Sequence, residues 1–435
     1  MVGDLHKLTA TEARALLLKG AITSEDLVRS CLSRIEAREP DVAAWEYLDP
    51  ALAIRQAQDR DRLPADARAA GLLHGIPVGI KDICDTADLP TCYGSRARLG
   101  HRPAIDATCV AHTRGAGGVI MGKTVTTEFA GRYPGKTSNP HDPRRTPGGS
   151  SSGSAAAVAD GMIPLAIGTQ TGGSVLRPAA YCGVFGYKPT FGHLSFEGIH
   201  HGAESFDTLG CMARSLDDIR LFRNVLMGFA TPPATPPAIG RPLKIAFCRT
   251  SKWHEAEQST HVLMEGAASH LASAGAAVSE LVLPSEFDEL YDLTAKLFAV
   301  EYGRAVTPEL LQSPENLSSA VMAMVKNAAA VSPETYMEGL ARVDALRVAA
   351  NAVIEPYDLI LTPSTGGEAP MGHDSTGPVT FTIIWQALSL PSLTMPVFKG
   401  PNGLPVGVQL VGKRHKDVEL LAMADGIWRE LCGGS

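Results

Sequence analysis

Residues 146–191 constrain the fold more than any other stretch: TPGGSSSGSAAAVADGMIPLAIGTQTGGSVLRPAAYCGVFGYKPTF. Two glycine–serine clusters stand in it, Gly148-Gly149-Ser150-Ser151-Ser152-Gly153-Ser154 and Gly172-Gly173-Ser174, joined by the small residues 155–167. Glycine admits backbone geometries closed to other residues and lets a chain approach a ligand closely. Serines beside it supply hydroxyls and N–H donors. Composition predicts a helix over 154–160 and a strand over 163–167, so the chain can leave one edge of a sheet and return to it. Ser150 and Ser174 can then meet at one point. The same pattern also fits two serine-rich loops flanking a buried helix, with no chemistry.

The rest of the chain alternates strands and helices, which points to an α/β fold. Residues 75–83 alternate glycine with β-branched residues, as a buried strand does, and Lys81 lies inside it. A lysine in an apolar strand either snorkels from a sheet edge or finds partners. Both readings stay open. A helix over 107–114 and a parallel strand over 118–123 follow. Near the start, Thr9/Glu12 and Thr23/Asp26 read as helix starts. Glu39-Pro40 ends the second of these helices, 42–48 reads as a strand and 51–62 as a helix. Residues 205–211 read as a loop and 216–227 as an amphipathic helix. Later come a βαβ unit (244–248, 262–273, 277–282), a mostly helical stretch (287–349) and strands at 358–362, 392–397 and 406–411. Met322, Met324 and Met337 read as core filler. The expectation is one α/β domain over 1–435, with the helices of 1–64 packed on it. The Pro-rich stretch 231–242 is its internal connection.

Composition narrows the function. Hydrophobic residues at 45% and charged residues at 20% describe a chain that buries a large core. A net charge of −7 argues against a general nucleic-acid binder. No run of 18 apolar residues predicts a membrane helix. Residues 1–6 lack a signal-peptide pattern, so the expected setting is cytoplasmic, with reduced cysteines. The 8 cysteines form no CxxC pair and the 13 histidines no HExxH. No metal site and no cofactor are expected.

Four further motifs carry a resemblance: GIPVGIKD at 75–82, GTQTGGS at 168–174, YCGVFGYKPT at 181–190 and GLPVGVQL at 403–410. With the serine clusters, and in this order, they make the chain similar to the amidase signature family over nearly its whole length. The resemblance implies a single large mixed β-sheet covered on both faces by helices. It implies metal-free hydrolysis of a C–N bond through an acyl-enzyme on a Ser-cisSer-Lys triad. Carried over, Ser174 is the nucleophile, Ser150 the bridging serine after a cis peptide from Gly149, and Lys81 the base. The oxyanion donors are the N–H groups of Thr171, Gly172, Gly173 and Ser174. A lysine ammonium cannot accept a proton, but burial lowers its pKa by disfavouring the charged form.

The chain departs from the family pattern in places. Ser152 stands where many relatives have glycine, and Gln170 where many have aspartate. Leu176 replaces a common arginine, and Arg177 follows it, a pattern that resembles the malonamidase-like branch. There the arginine is held to bind a substrate carboxylate, and an arginine fork suits that group. A loop-pinning role for Arg177 is equally open. Tyr133, His201, Phe206 and Trp385 are candidate pocket walls, and Tyr133 joins Arg177 as a candidate substrate-binding residue. Gly149 to Gly153 also satisfies GxSxG, the nucleophile elbow of another hydrolase fold, which would select Ser151. No strand is expected before it. The expected partner is a small-molecule amide, with a carbamate or aryl amide as alternative and no nucleic acid or membrane. The expected assembly is a monomer or homodimer. The rivals are an amidotransferase component of a larger complex and a non-catalytic binding protein.

Overall fold

In the computed structural model, residues 4–231 and 241–433 are described. Most of the Pro-rich connection, 232–240, lies outside the described residues. Eleven strands form one sheet: β1 (Trp45–Leu48), β2 (Pro77–Lys81), β3 (Val119–Thr124), β4 (Leu165–Gln170), β5 (Phe185–Lys188), β6 (Thr208–Ala213), β7 (Lys244–Phe247), β8 (Ala277–Glu280), β9 (Leu359–Pro363), β10 (Ser392–Lys399) and β11 (Pro405–Gly412). Their spatial order is β1-β3-β2-β4-β6-β5-β10-β11-β9-β7-β8. The sheet is mixed. Strands β3, β2 and β4 run parallel, as do β9, β7 and β8, and antiparallel pairs join the two groups.

Helices cover both faces, which explains the near-continuous apolar runs. All residues of β2, β3, β4, β6 and β11 are buried. Such strands show little alternation because neither face meets water. The edge strand β8 is mostly exposed. Both expected helix starts form, each as a capping box, Thr9 with Glu12 and Thr23 with Asp26.

Some elements depart from the expectations. The second N-terminal helix runs Ser24–Val42 and keeps Pro40 within its last turn. Residues 205–211 are not all loop, since β6 begins at Thr208. Strand β5 has no counterpart among the expected strands. Met324 is buried as expected, but Met322 and Met337 are 40% and 63% exposed and fill no core.

The serine-rich stretch packs through its glycine. The helix Ser152–Ala159 lies against β1 and β3. A side chain at Gly153 would collide with the Ala44 carbonyl and the Val125 amide. Only glycine lets the helix start that close to the sheet. The helix leads into β4, parallel to β2, so the carboxyl ends of β2 and β4 lie side by side. Lys81 closes β2 and Gln170 closes β4. In open α/β sheets this is where ligands bind.

Candidate active site

Lys81 is completely buried in the interior of the sheet, between β3 and β4, which rules out the edge-strand reading. Its Nζ lies 2.7 Å from Ser150 Oγ, 2.8 Å from Thr169 Oγ1 and 3.5 Å from the Thr169 carbonyl. Burial pushes its pKa down to about 7, with the Arg177 charge helping and Cys84 and Asp207 opposing. A low pKa alone does not single it out, since burial also brings Lys188 down to about 7. Lys188 donates to the Pro189 and Leu390 carbonyls. Buried Lys123 donates to the Cys84 carbonyl and Thr91 Oγ1. Of these three lysines, Lys81 is the one against a serine hydroxyl.

Ser150 is buried, and the peptide joining it to Gly149 is cis. Ser151 N donates to the Ser174 carbonyl at 3.3 Å, which ties the two serine loops together. The Ser150 and Ser174 hydroxyls are not hydrogen-bonded to each other here. Ser151 is fully buried, and its Oγ is engaged at 3.2 Å with both the carbonyl and the N–H of Thr169. A strand does not precede it. The elbow reading therefore has no free hydroxyl to use.

Thr171, Gly172, Gly173 and Ser174 form the turn after β4 and line a cavity of about 490 Å³. Among the described residues, the backbone N–H groups of these four have no hydrogen-bond partner. A Cβ on Gly173 would strike the Thr382 hydroxyl, so the turn is packed to its limit. Gln170 fixes its far end. Its Oε1 accepts from the N–H groups of Val175 and Leu176, each at 3.0 Å, and its Nε2 donates to Gln386 Oε1 at 3.1 Å. A carboxylate could accept the first two bonds. The amide adds a donor that reaches Gln386, which in turn donates to the Phe206 carbonyl and Thr208 Oγ1.

Arg177 is buried and also lines the cavity. Its Nε and Nη2 donate to the Gly149 carbonyl at 3.2 and 2.6 Å, and its Nη1 donates to the Gly377 carbonyl. It has no carboxylate partner among the described residues. Burial lowers its pKa to about 10, with Tyr181 opposing and Arg132 adding to the shift. Arg132 lines the same cavity. The remaining walls are apolar (Phe206, Phe298, Ile383), polar (Thr294, Thr380) and charged (Lys252, Glu255).

Two of the four aromatic expectations need correction and a third is only packing. Tyr133 is half exposed and lies outside the cavity wall, which its neighbours Gly131 and Arg132 supply instead. His201 stays outside too, with its Nδ1 3.3 Å from Asp207 Oδ2. Trp385 is fully buried core. Phe206 does line the cavity. Sequence reasoning missed Thr169 and Arg132. Thr169 sits inside the GTQTGGS run, so its nearness to the site was available. Nothing in the sequence marked Arg132.

Residues 26–421 match the family described as Amidase. The chain belongs to that family. Among curated relatives, a glutamyl-tRNA(Gln) amidotransferase component from Chloroflexus aurantiacus is 32% identical, over 98% of this chain and 97% of its own length. A crystal structure of an amidase superposes with a TM-score of 0.90 at 29% identity, covering 98% of this chain and 100% of the other. The native peptide amidase from Stenotrophomonas maltophilia gives a TM-score of 0.83 at 29% identity, over 98% and 97% of the two chains. Among the described residues no helix is long and apolar enough to cross a membrane.

Proposed function

We propose that this amidase hydrolyses C–N bonds of small amides through an acyl-enzyme on Ser174. The observation that carries the reading is the buried Lys81 amine, 2.7 Å from Ser150 Oγ, beside a turn of free N–H groups at the cavity. A neutral amine has two hydrogens and one lone pair. Thr169 offers two acceptors, Oγ1 and the carbonyl, so the lone pair is left for the Ser150 hydroxyl. Lys81 takes a proton from Ser150, and Ser150 takes one from Ser174. Ser174 Oγ then bonds to the amide carbon, and the N–H groups of the 171–174 turn receive the developing oxyanion. When the C–N bond breaks, the same proton returns through Ser150 to the leaving nitrogen. Water repeats the cycle on the acyl-enzyme. A hydrolysis screen across carboxylated amides, neutral amides, anilides and carbamates tests the reading. Release of amine or ammonia from none of them sinks it.

We assign the finer preference to carboxylated amides, in line with the malonamidase-like motif. Arg177 and Arg132 meet at the cavity, and Arg177 has no acidic partner among the described residues. Arg177 also holds the Gly149 carbonyl, and so the peptide that carries Ser150. Arg177→Leu is expected to slow every substrate through that lost hold. Carboxylated amides should lose a further roughly 2–3 kcal/mol, tens- to over a hundredfold in kcat/KM. Arg177→Lys should recover only part, because a point charge cannot reproduce the fork. Equal losses for neutral and carboxylated substrates would remove the preference. The wall of Phe206, Phe298 and Ile383 supports the alternative of aryl amides or carbamates.

A second reading rests on the Chloroflexus relative, which is a component of an amidotransferase. In it the chain works as part of a larger complex. Ammonia release from simple amides by the isolated chain favours the hydrolase. Release that needs an added partner favours the amidotransferase reading.

A further inference from the structure

Strands β4 and β6 pair antiparallel with Gln170 opposite Thr208. The next positions, Thr171 and Asp207, therefore face each other where the backbone ladder stops. Their side chains continue it, since Thr171 Oγ1 donates to Asp207 Oδ1 at 2.5 Å. The other oxygen, Oδ2, accepts from the N–H groups of Gly202 at 2.7 Å and Ala203 at 2.9 Å. The His201 imidazole stands 3.3 Å from it, rests on the Phe196 ring and is 40% exposed. The Asp207 side chain is only 3% exposed. A carboxylate buried among three hydrogen-bond donors is held in place. Thr171 opens the turn whose N–H groups lie at the cavity.

We propose that Asp207 is a positioning residue that fixes the 171–174 turn through the Thr171 hydroxyl and sets the charge balance at Lys81. The proposal rests on the reading of Ser174 as nucleophile. Two effects follow. Losing the hydroxyl bond lets the turn drift, and small misplacements of oxyanion donors cost rate. Losing the negative charge disfavours protonated Lys81, because Asp207 is one of the groups that hold its pKa up. The other groups facing Lys81 are Arg177, which lowers its pKa, and Cys84, which raises it. Those facing His201 are Asp207, Glu204 and Glu301, and they raise its pKa.

The test measures the rate at which a fluorophosphonate labels the full-length protein across pH. Ser174 Oγ bonds to phosphorus and fluoride leaves, so no substrate need be known. Thr171→Val keeps the backbone N–H and removes the hydroxyl. It should slow labelling on the order of 10- to 100-fold with the acid limb unmoved. Asp207→Asn should slow labelling comparably and also move the acid limb to lower pH, a shift that a merely structural role would not produce. The double variant should be no slower than Asp207→Asn alone, because both remove one contact. An Asp207→Asn variant with the wild-type rate and limb overturns the proposal. If that variant does not fold, a Thr171→Val variant that labels at the wild-type rate overturns it instead. Wild-type protein that takes no label at Ser174 overturns the reading of the site, and this proposal with it.

Discussion

Ser174→Ala is expected to reduce turnover to background, a loss on the order of 10⁴-fold or more, as removal of a serine nucleophile does elsewhere. Two other serines of the clusters, Ser150 and Ser151, are already committed. Ser150 Oγ lies against Lys81, and Ser151 Oγ is bound to the backbone of β4. Ser174 is the one of the three on the cavity wall. Ser150→Ala should cost several orders of magnitude, because the proton then has no bridge to Lys81. Ser151→Ala removes hydrogen bonds worth about 1 kcal/mol each. It should lower the melting temperature and keep most of the activity. Steady-state kinetics on the three variants checks this. An active Ser174→Ala beside a dead Ser151→Ala would reverse the assignment.

Lys81→Met is the second large effect, and it should act on turnover and stability in opposite directions. Turnover should be nearly abolished, since no group remains to accept the proton. The wild-type profile should show an acid limb near pH 7, where the amine becomes protonated. The folded-state pKa is about 7, against 10.5 for the free group. Between those values the unfolded chain binds a proton that the folded chain refuses, so stability falls as pH drops from 10.5 to 7, then levels off. A displacement of that size corresponds to roughly 5 kcal/mol at most. Methionine cannot make the bonds to Ser150 and Thr169, which reduces the gain. Lys81→Met should therefore melt higher than wild type, by more at pH 6 than at pH 9. A gap independent of pH would show that Lys81 is not held neutral by burial.

How far the sequence could be read depended on how local each feature is. Capping boxes involve residues three apart, and both were legible. The parallel strands around Lys81 and the βαβ unit at 244–282 were legible from their local residue patterns. Strand β5 spans only Phe185–Lys188, just past a helix that ends in left-handed Gly183. Its pairing with β6 and β10 is long-range, so no local signal marks it. Pro40 misled for a different reason. A proline near a helix end disturbs little beyond its own turn, and the helix simply closes two residues later.

The site divides in the same way. Lys81, Ser150, Ser151 and the 171–174 turn sit in compact motifs, so their nearness could be expected. The cavity walls come from segments at 130–132, 291–298 and 375–380, which only the folded chain assembles. Aromatic character alone selected Tyr133, although the wall is made by its neighbour Arg132. Asp207 carried no motif of its own. Its importance appears only when β6 is seen paired with β4.

Peptide mapping of the protein after fluorophosphonate treatment tests most directly whether Ser174 is the nucleophile. We expect a single adduct, on Ser174, forming faster as pH rises through the Lys81 pKa of about 7 and absent from Ser174→Ala. An adduct on Ser151, or a chain that hydrolyses amides while Ser174 stays unmodified, would contradict it.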